Sequence, residues 1–155
     1  EHTHTLAHCP PIADGAALAL IGAREAGEAL GLKPVARVRA YAETGGDHVL
    51  QLTAGFRAMD LVLQRAKLSL KEIGAIEFME AFAAVPVKFE RDYAPDMNRV
   101  NPNGGHLAMG HPMGATGAIL FAAALDSMED LDSELGLVVA TGGVGVGAAM
   151  VLERV

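Results

Sequence analysis

The chain has 155 residues, 12 Lys and Arg against 19 Asp and Glu for a net charge of −7, and a 51% hydrophobic composition. That length supports one domain with a proper core, the acidic balance without a basic patch excludes a nucleic-acid-binding surface, and no apolar run is long enough to cross a bilayer as a helix. The single Cys9 excludes an internal disulfide and fits a reducing, cytoplasmic setting.

The mean hydropathy of +0.28 is high for a domain of this size. It implies helices buried on more than one side, or a surface covered by another domain or subunit, and a homo-oligomer is expected. Aromatics make up only 5%, so Ala, Gly, Val and Leu must build the core. Such cores suit tightly packed α/β layers. The first residue is Glu1 rather than Met and no secretory pattern opens the chain. A piece of a longer protein, or a trimmed product, is expected.

Residues 1–10 are polar and irregular. Residues 16–21 (AALALI) read as a buried strand, and residues 23–30 as a short helix closed by Gly31. Residues 35–41 (VARVRAY) alternate apolar and polar, as a half-buried strand does, and 42–47 (AETGGD) read as a loop. Residues 56–66 carry a helical apolar stripe. Ser69 and Glu72 have capping-box spacing. A strand over 73–79 and a helix beginning within 81–85 follow, then a polar surface connection over 87–100. A helix running to about Met128 and two strands, 137–140 and 148–152, joined by a Gly-rich link complete the chain. The order β-α-β-α-β-α-β-β implies an α/β domain with a central sheet.

Residues 101–117 (NPNGGHLAMGHPMGATG) hold five glycines, two prolines and two histidines. Ordering so many glycines costs backbone entropy, which suits a backbone that turns tightly or approaches a ligand. Pro112 biases His111 away from helical geometry. The imidazole is therefore expected at the mouth of the following helix, where backbone N–H groups favour developing negative charge.

These residues resemble the histidine motif of the thiolase family, N-x-N-G-G-x-x-x-x-G-H-P-x-G-x-S/T-G. Other segments resemble the same family in the same order. They are Asp14-Gly15-Ala16-Ala17, the LGLKP of residues 30–34 with the strand after it, the LSLKEI of 68–73, Glu80-Ala81-Phe82-Ala83, and the TGGVGVGAAMVLE of 141–153. The resemblance implies that residues 1–155 form a C-terminal thiolase domain, an α/β layered fold with a mixed central sheet flanked by helices. The N-terminal half, with its nucleophilic cysteine, is absent from this chain. The implied activity makes or breaks the carbon–carbon bond of 3-ketoacyl-CoA, with an acyl-CoA thioester as substrate, coenzyme A as carrier and no bound cofactor or metal. His111 takes the position that polarises the thioester carbonyl and stabilises the enolate. Gly143 keeps the backbone N–H of a second oxyanion hole.

The chain departs from the family at several positions. Thr141 stands where the acid/base cysteine is expected; a hydroxyl is a far poorer base than a thiol but can still hydrogen-bond a substrate or a water, so Thr141 is a candidate catalytic residue with His111 and Gly143. Met79 stands at the asparagine position and cannot hold a water in the same way. Pro10-Pro11 replaces the Ser-Gly found near coenzyme A. Three readings remain open: a thiolase-class acyltransferase, a degenerate assembly or binding domain, and a ketosynthase-like condensing enzyme that needs no second cysteine.

Other residues read as structural. Cys9 has no cation or helix start to activate it. His2, His4 and His8 lie in a solvated terminus, and His106 reads as a loop histidine, with a side chain that faces the site as the alternative. Glu80 is expected to orient backbone. The GGVGVG of 142–147 lacks the long helix of a dinucleotide site.

Overall fold

Two nearly continuous apolar stretches, LGLVVATG and VGAAMVLER, form the centre of the molecule as strands β3 (Leu135–Gly142) and β4 (Val146–Arg154) in this computed structural model, which describes residues 3–155. They pair antiparallel through the Gly143–Gly145 turn. β1 (Ala36–Gly45) runs antiparallel along the outer edge of β4, and β2 (Ala75–Phe78) runs parallel to β3. The sheet is mixed and four-stranded, in the order β1-β4-β3-β2.

Strand periodicity sends alternate residues to opposite faces. On one face Ile76, Phe78, Leu137, Val139, Ala149 and Val151 meet helix α2 (Ala54–Ala66) and helix α3 (Ala84–Tyr93). Phe56, Phe78 and Phe89 stack there, with centroids 4.5 Å apart for Phe78 and Phe89. On the other face Ala75, Val138 and Leu152 pack under α5 (Thr116–Asp130). α5 points Thr116, Leu120, Ala124 and Met128 inward, one turn apart. The result is a three-layer α/β/α arrangement, as the composition implied.

The expected helix at 23–30 is α1 (Arg24–Ala29). Gly31 has φ +70°, and the N–H groups of Gly31 and Leu32 bond the carbonyls of Glu28 and Gly27, a complete Schellman cap. The Glu72 carboxylate accepts from both the Ser69 N–H (2.7 Å) and the Ser69 hydroxyl (2.8 Å), as the capping-box spacing predicted.

Two expectations are corrected and a third is refined. Residues 16–21 form no strand: no neighbour pairs with them, and Leu18 is 96% exposed. Residues 42–45 are not a loop but the end of β1, because Glu43 and Thr44 pair with Ala148 and Gly147. Residues 87–100 do run over the surface, but largely as helix. Val85, Phe89 and Tyr93, four residues apart, put one apolar stripe on an otherwise polar α3. Pro86 falls in the first turn of α3, where its missing N–H costs nothing.

Candidate functional site

The site is built where the ends of β2 and β3 meet the Gly-rich segment. Asn101 docks that segment on β2. Its N–H bonds the Ile76 carbonyl (2.8 Å), its Oδ1 accepts from the Phe78 N–H (2.8 Å), and its Nδ2 donates to the Phe78 carbonyl (2.9 Å). The same Nδ2 donates to Glu80 Oε1 (2.9 Å), and Glu80 Oε2 accepts from the Leu107 N–H (3.1 Å). Glu80 therefore orients backbone, as its motif position suggested, and ties β2 to the one-turn helix α4 (His106–Met109).

Gly110 closes α4 with φ +93°, and a Cβ there would come 2.7 Å from Ala13 Cβ. Only glycine fits that close approach without strain. The next residue, His111, donates its N–H to the Pro11 carbonyl (2.8 Å). The Pro10-Pro11 departure thus buttresses the histidine through its backbone. His111 Nδ1 lies 2.9 Å from Thr116 Oγ1, at the first residue of α5. The imidazole does sit at the helix mouth. Burial lowers its pKa below the ordinary histidine value.

His106 is not a loop histidine. It is the first residue of α4, 1% exposed, and its ring stands edge-on to His111 with centroids 5.5 Å apart. Burial, and then the neighbouring His111, push its pKa down.

A cleft of 620 Å³ opens between the start of α5 and the ends of β3 and β4, with Met79, Met113, Thr116, Thr141 and Val146 on its walls. Thr141 lies in that wall, but its hydroxyl is 3.4 Å from the Gly55 N–H, in the first turn of α2. Met79 Sδ lies 3.4 Å from the Thr141 N–H. Thr141, Met79 and Thr116 share the cleft; His111 bonds Thr116 but is not itself among the cleft-lining residues. Gly143 is exposed in the β3–β4 turn and is not among the cleft-lining residues.

One buried acid escaped the sequence reading. Glu77 is 2% exposed beneath α5, where the Ser127 hydroxyl donates to its Oε1 (2.8 Å). Desolvation raises its pKa to about 7. The signal was a carboxylate inside an apolar strand run. Cys9 is a half-buried free thiol 3.7 Å from the Thr5 carbonyl. His4 and His8 meet edge-on as rings, His8 Nδ1 accepts from the Thr5 N–H (3.0 Å), and His2 lies outside the described residues. Among the described residues no group of three or more His, Cys, Asp or Glu is arranged to hold a metal ion, and no helix is long and apolar enough to cross a membrane.

Comparison with known proteins shows the family and the fold. The model of the family "Thiolase, C-terminal domain" matches residues 32–154. An acetyl-CoA acetyltransferase of Escherichia coli is 40% identical over 152 residues, covering 98% of this chain and 39% of the relative. A 3-ketoacyl-CoA thiolase of Psychrobacter cryohalolentis is 37% identical over 155 residues, covering 99% of this chain and 40% of the relative. A crystal structure of the Bacillus anthracis acetyl-CoA acetyltransferase superposes with a TM-score of 0.81 at 30% identity, covering 85% of this chain and 34% of that one. The chain spans about two fifths of the length of the curated relatives it matches.

Proposed function

Because the chain belongs to the thiolase family, as its C-terminal domain, we propose that it supplies the C-terminal half, with His111, of an acyltransferase that forms or thiolytically cleaves the carbon–carbon bond of a 3-ketoacyl-CoA. The observation that carries this reading is the seating of His111, held through Nδ1 by Thr116 at the start of α5 and through its backbone by Pro11.

A Thr116 hydroxyl that donates to Nδ1 leaves the imidazole proton on Nε2. Burial favours the neutral ring. A neutral Nε2–H donates to a thioester carbonyl, and that bond strengthens as the oxygen gains enolate charge. The Gly143 N–H is assigned a second donor role. Thr141 is assigned no base role, since a hydroxyl is a far poorer base than a thiol; its Oγ1 accepts from the Gly55 N–H and keeps its own proton to donate to substrate or water. The nucleophilic cysteine belongs to an N-terminal half that completes the site. Coenzyme A is the carrier of the substrate, no bound cofactor is required, and the working form is a cytoplasmic homo-oligomer.

One observation favours a second reading, a degenerate domain that assembles or binds without chemistry of its own. Neither Thr141, whose Oγ1 accepts from α2, nor Met79, whose thioether stands in the cleft, offers a general base. A ketosynthase-like condensation, which needs no second cysteine, lies between the two.

Thiolysis of acetoacetyl-CoA by the complete product of the gene separates them. The proposal expects turnover that falls about 100-fold or more in His111→Ala. Turnover untouched by that substitution overturns the role of His111. No turnover at all, with a stable complex formed instead, favours the assembly reading.

A further inference from the structure

His106 is the only buried side chain among the described residues whose polar atoms find no hydrogen-bond partner: neither Nδ1 nor Nε2 has one. Leaving a buried polar group unpaired costs about 1–3 kcal/mol. An apolar side chain would fill the same space without that cost, so the position calls for a physical account.

The account lies in what the ring touches. His106 and His111 meet with centroids 5.5 Å apart and planes at 83°. Edge-to-face contact of this kind is the favoured geometry for two π-systems, and the N–H edge of one imidazole can rest on the face of the other. The Thr116 bond fixes where His111 Nδ1 points. A single hydrogen bond leaves the ring free to pivot about its own axis. A second ring packed perpendicular to the first blocks that pivot.

His106 is itself held firmly. The Leu107 N–H that follows it is tied to Glu80 Oε2, and its carbonyl accepts from the Gly110 N–H at 2.9 Å. The two histidines thus sit at the two ends of one short turn, with its closing bond next to His111.

We propose that His106 is a positioning residue for His111: its imidazole, locked edge-to-face against the His111 ring, fixes the plane in which His111 Nε2 meets the substrate carbonyl. This rests on the reading of His111 as the group that polarises that carbonyl. His106 itself touches no substrate.

The test compares His106→Phe, which keeps a ring, with His106→Ala. Should the alanine variant not fold, His106→Leu, which keeps the volume without a ring, replaces it; an amide fingerprint spectrum establishes the fold. Two readouts are taken. Carbon-bound proton signals of the His111 imidazole in the full chain report whether the ring holds one orientation, without any need for turnover. In the complete gene product, acetoacetyl-CoA thiolysis separates kcat from KM. Expected is one sharp set of His111 ring signals in the unaltered chain and in His106→Phe, and a broadened or doubled set in His106→Ala. Expected too is a kcat about tenfold lower in His106→Ala, with KM little changed, and restored in His106→Phe. A single sharp set of His111 ring signals in His106→Ala overturns the proposal, as does a phenylalanine variant no better than the alanine one. If the unaltered protein turns over no substrate, the functional reading of His111 fails, and the ring signals still decide whether His106 positions the ring.

Discussion

The sheet face under α2 and α3 closes over an aromatic cluster of Phe56, Phe78 and Phe89, whereas the face under α5 holds no aromatic in its core, only aliphatic side chains, methionines and one carboxyl, Glu77, and leaves a cleft beside it. Both faces come from the same strands, with neighbouring residues such as Phe78 and Met79 belonging to opposite sides. The closed face is finished with large side chains and carries most of the apolar burial. The open face has no aromatic in its core, and the first turn of α5, with Thr116 bonded to His111, lies at the strand ends. Stability and chemistry are thereby divided between two sides of one sheet.

That division is broken or sharpened by substitution on each side. Phe78→Ala, in the centre of the closed face, is expected to cost about 3–5 kcal/mol in urea unfolding. Whatever folded protein remains should keep an intact cleft. A cost near zero would show that the aromatic cluster is not the main core.

Glu77 gives the open face a pH dependence. Its carboxyl keeps a proton up to about pH 7 in the folded chain, against an ordinary value of 4.5. The folded state therefore binds more protons than the unfolded state between those values, and stability falls as pH rises through that window. The loss is of the order of 3 kcal/mol. Glu77→Gln should flatten the dependence and be the more stable protein at pH 8, as chemical denaturation at a series of pH values would show. An identical slope in both proteins would mean that Glu77 is not held neutral.

Gly110→Ala places a Cβ at φ +93° against Ala13. It should cost about 1–3 kcal/mol and disturb the His111 ring signals, because the bond to Pro11 is next in the chain. Thr116→Val removes the partner of Nδ1 at nearly constant volume. About a tenfold fall in kcat is expected, with the melting temperature changed by only a few degrees.

Much of this was legible in the residues. The Gly-rich run announced a close approach, and Gly110 makes one. The Ser69–Glu72 spacing and Gly31 announced local hydrogen bonds that form as written. The failures at 16–21, at the end of β1 and at Thr141 concern pairing with segments distant in sequence, whereas His106 meets a residue only five positions on. Residues 16–21 are apolar enough for a strand, but a strand needs a neighbour, and none pairs with them. The end of β1 looked like a loop because Thr44 and Gly45 are turn formers, and only β4 makes them strand. His106 looked like a loop residue because nothing in its flanking sequence tells that its ring turns inward against His111. Thr141 was placed at the cleft by alignment, while the direction of its hydroxyl depends on Gly55, far away in the chain.

The most direct test of the central claim is to measure thiolysis rate and melting temperature on the same sample of His111→Ala. The account predicts a rate lower by about 100-fold or more with a melting temperature little changed, because His111 belongs to the open face and not to the core. A rate equal to that of the unaltered protein, or a loss of rate explained wholly by unfolding, would contradict it.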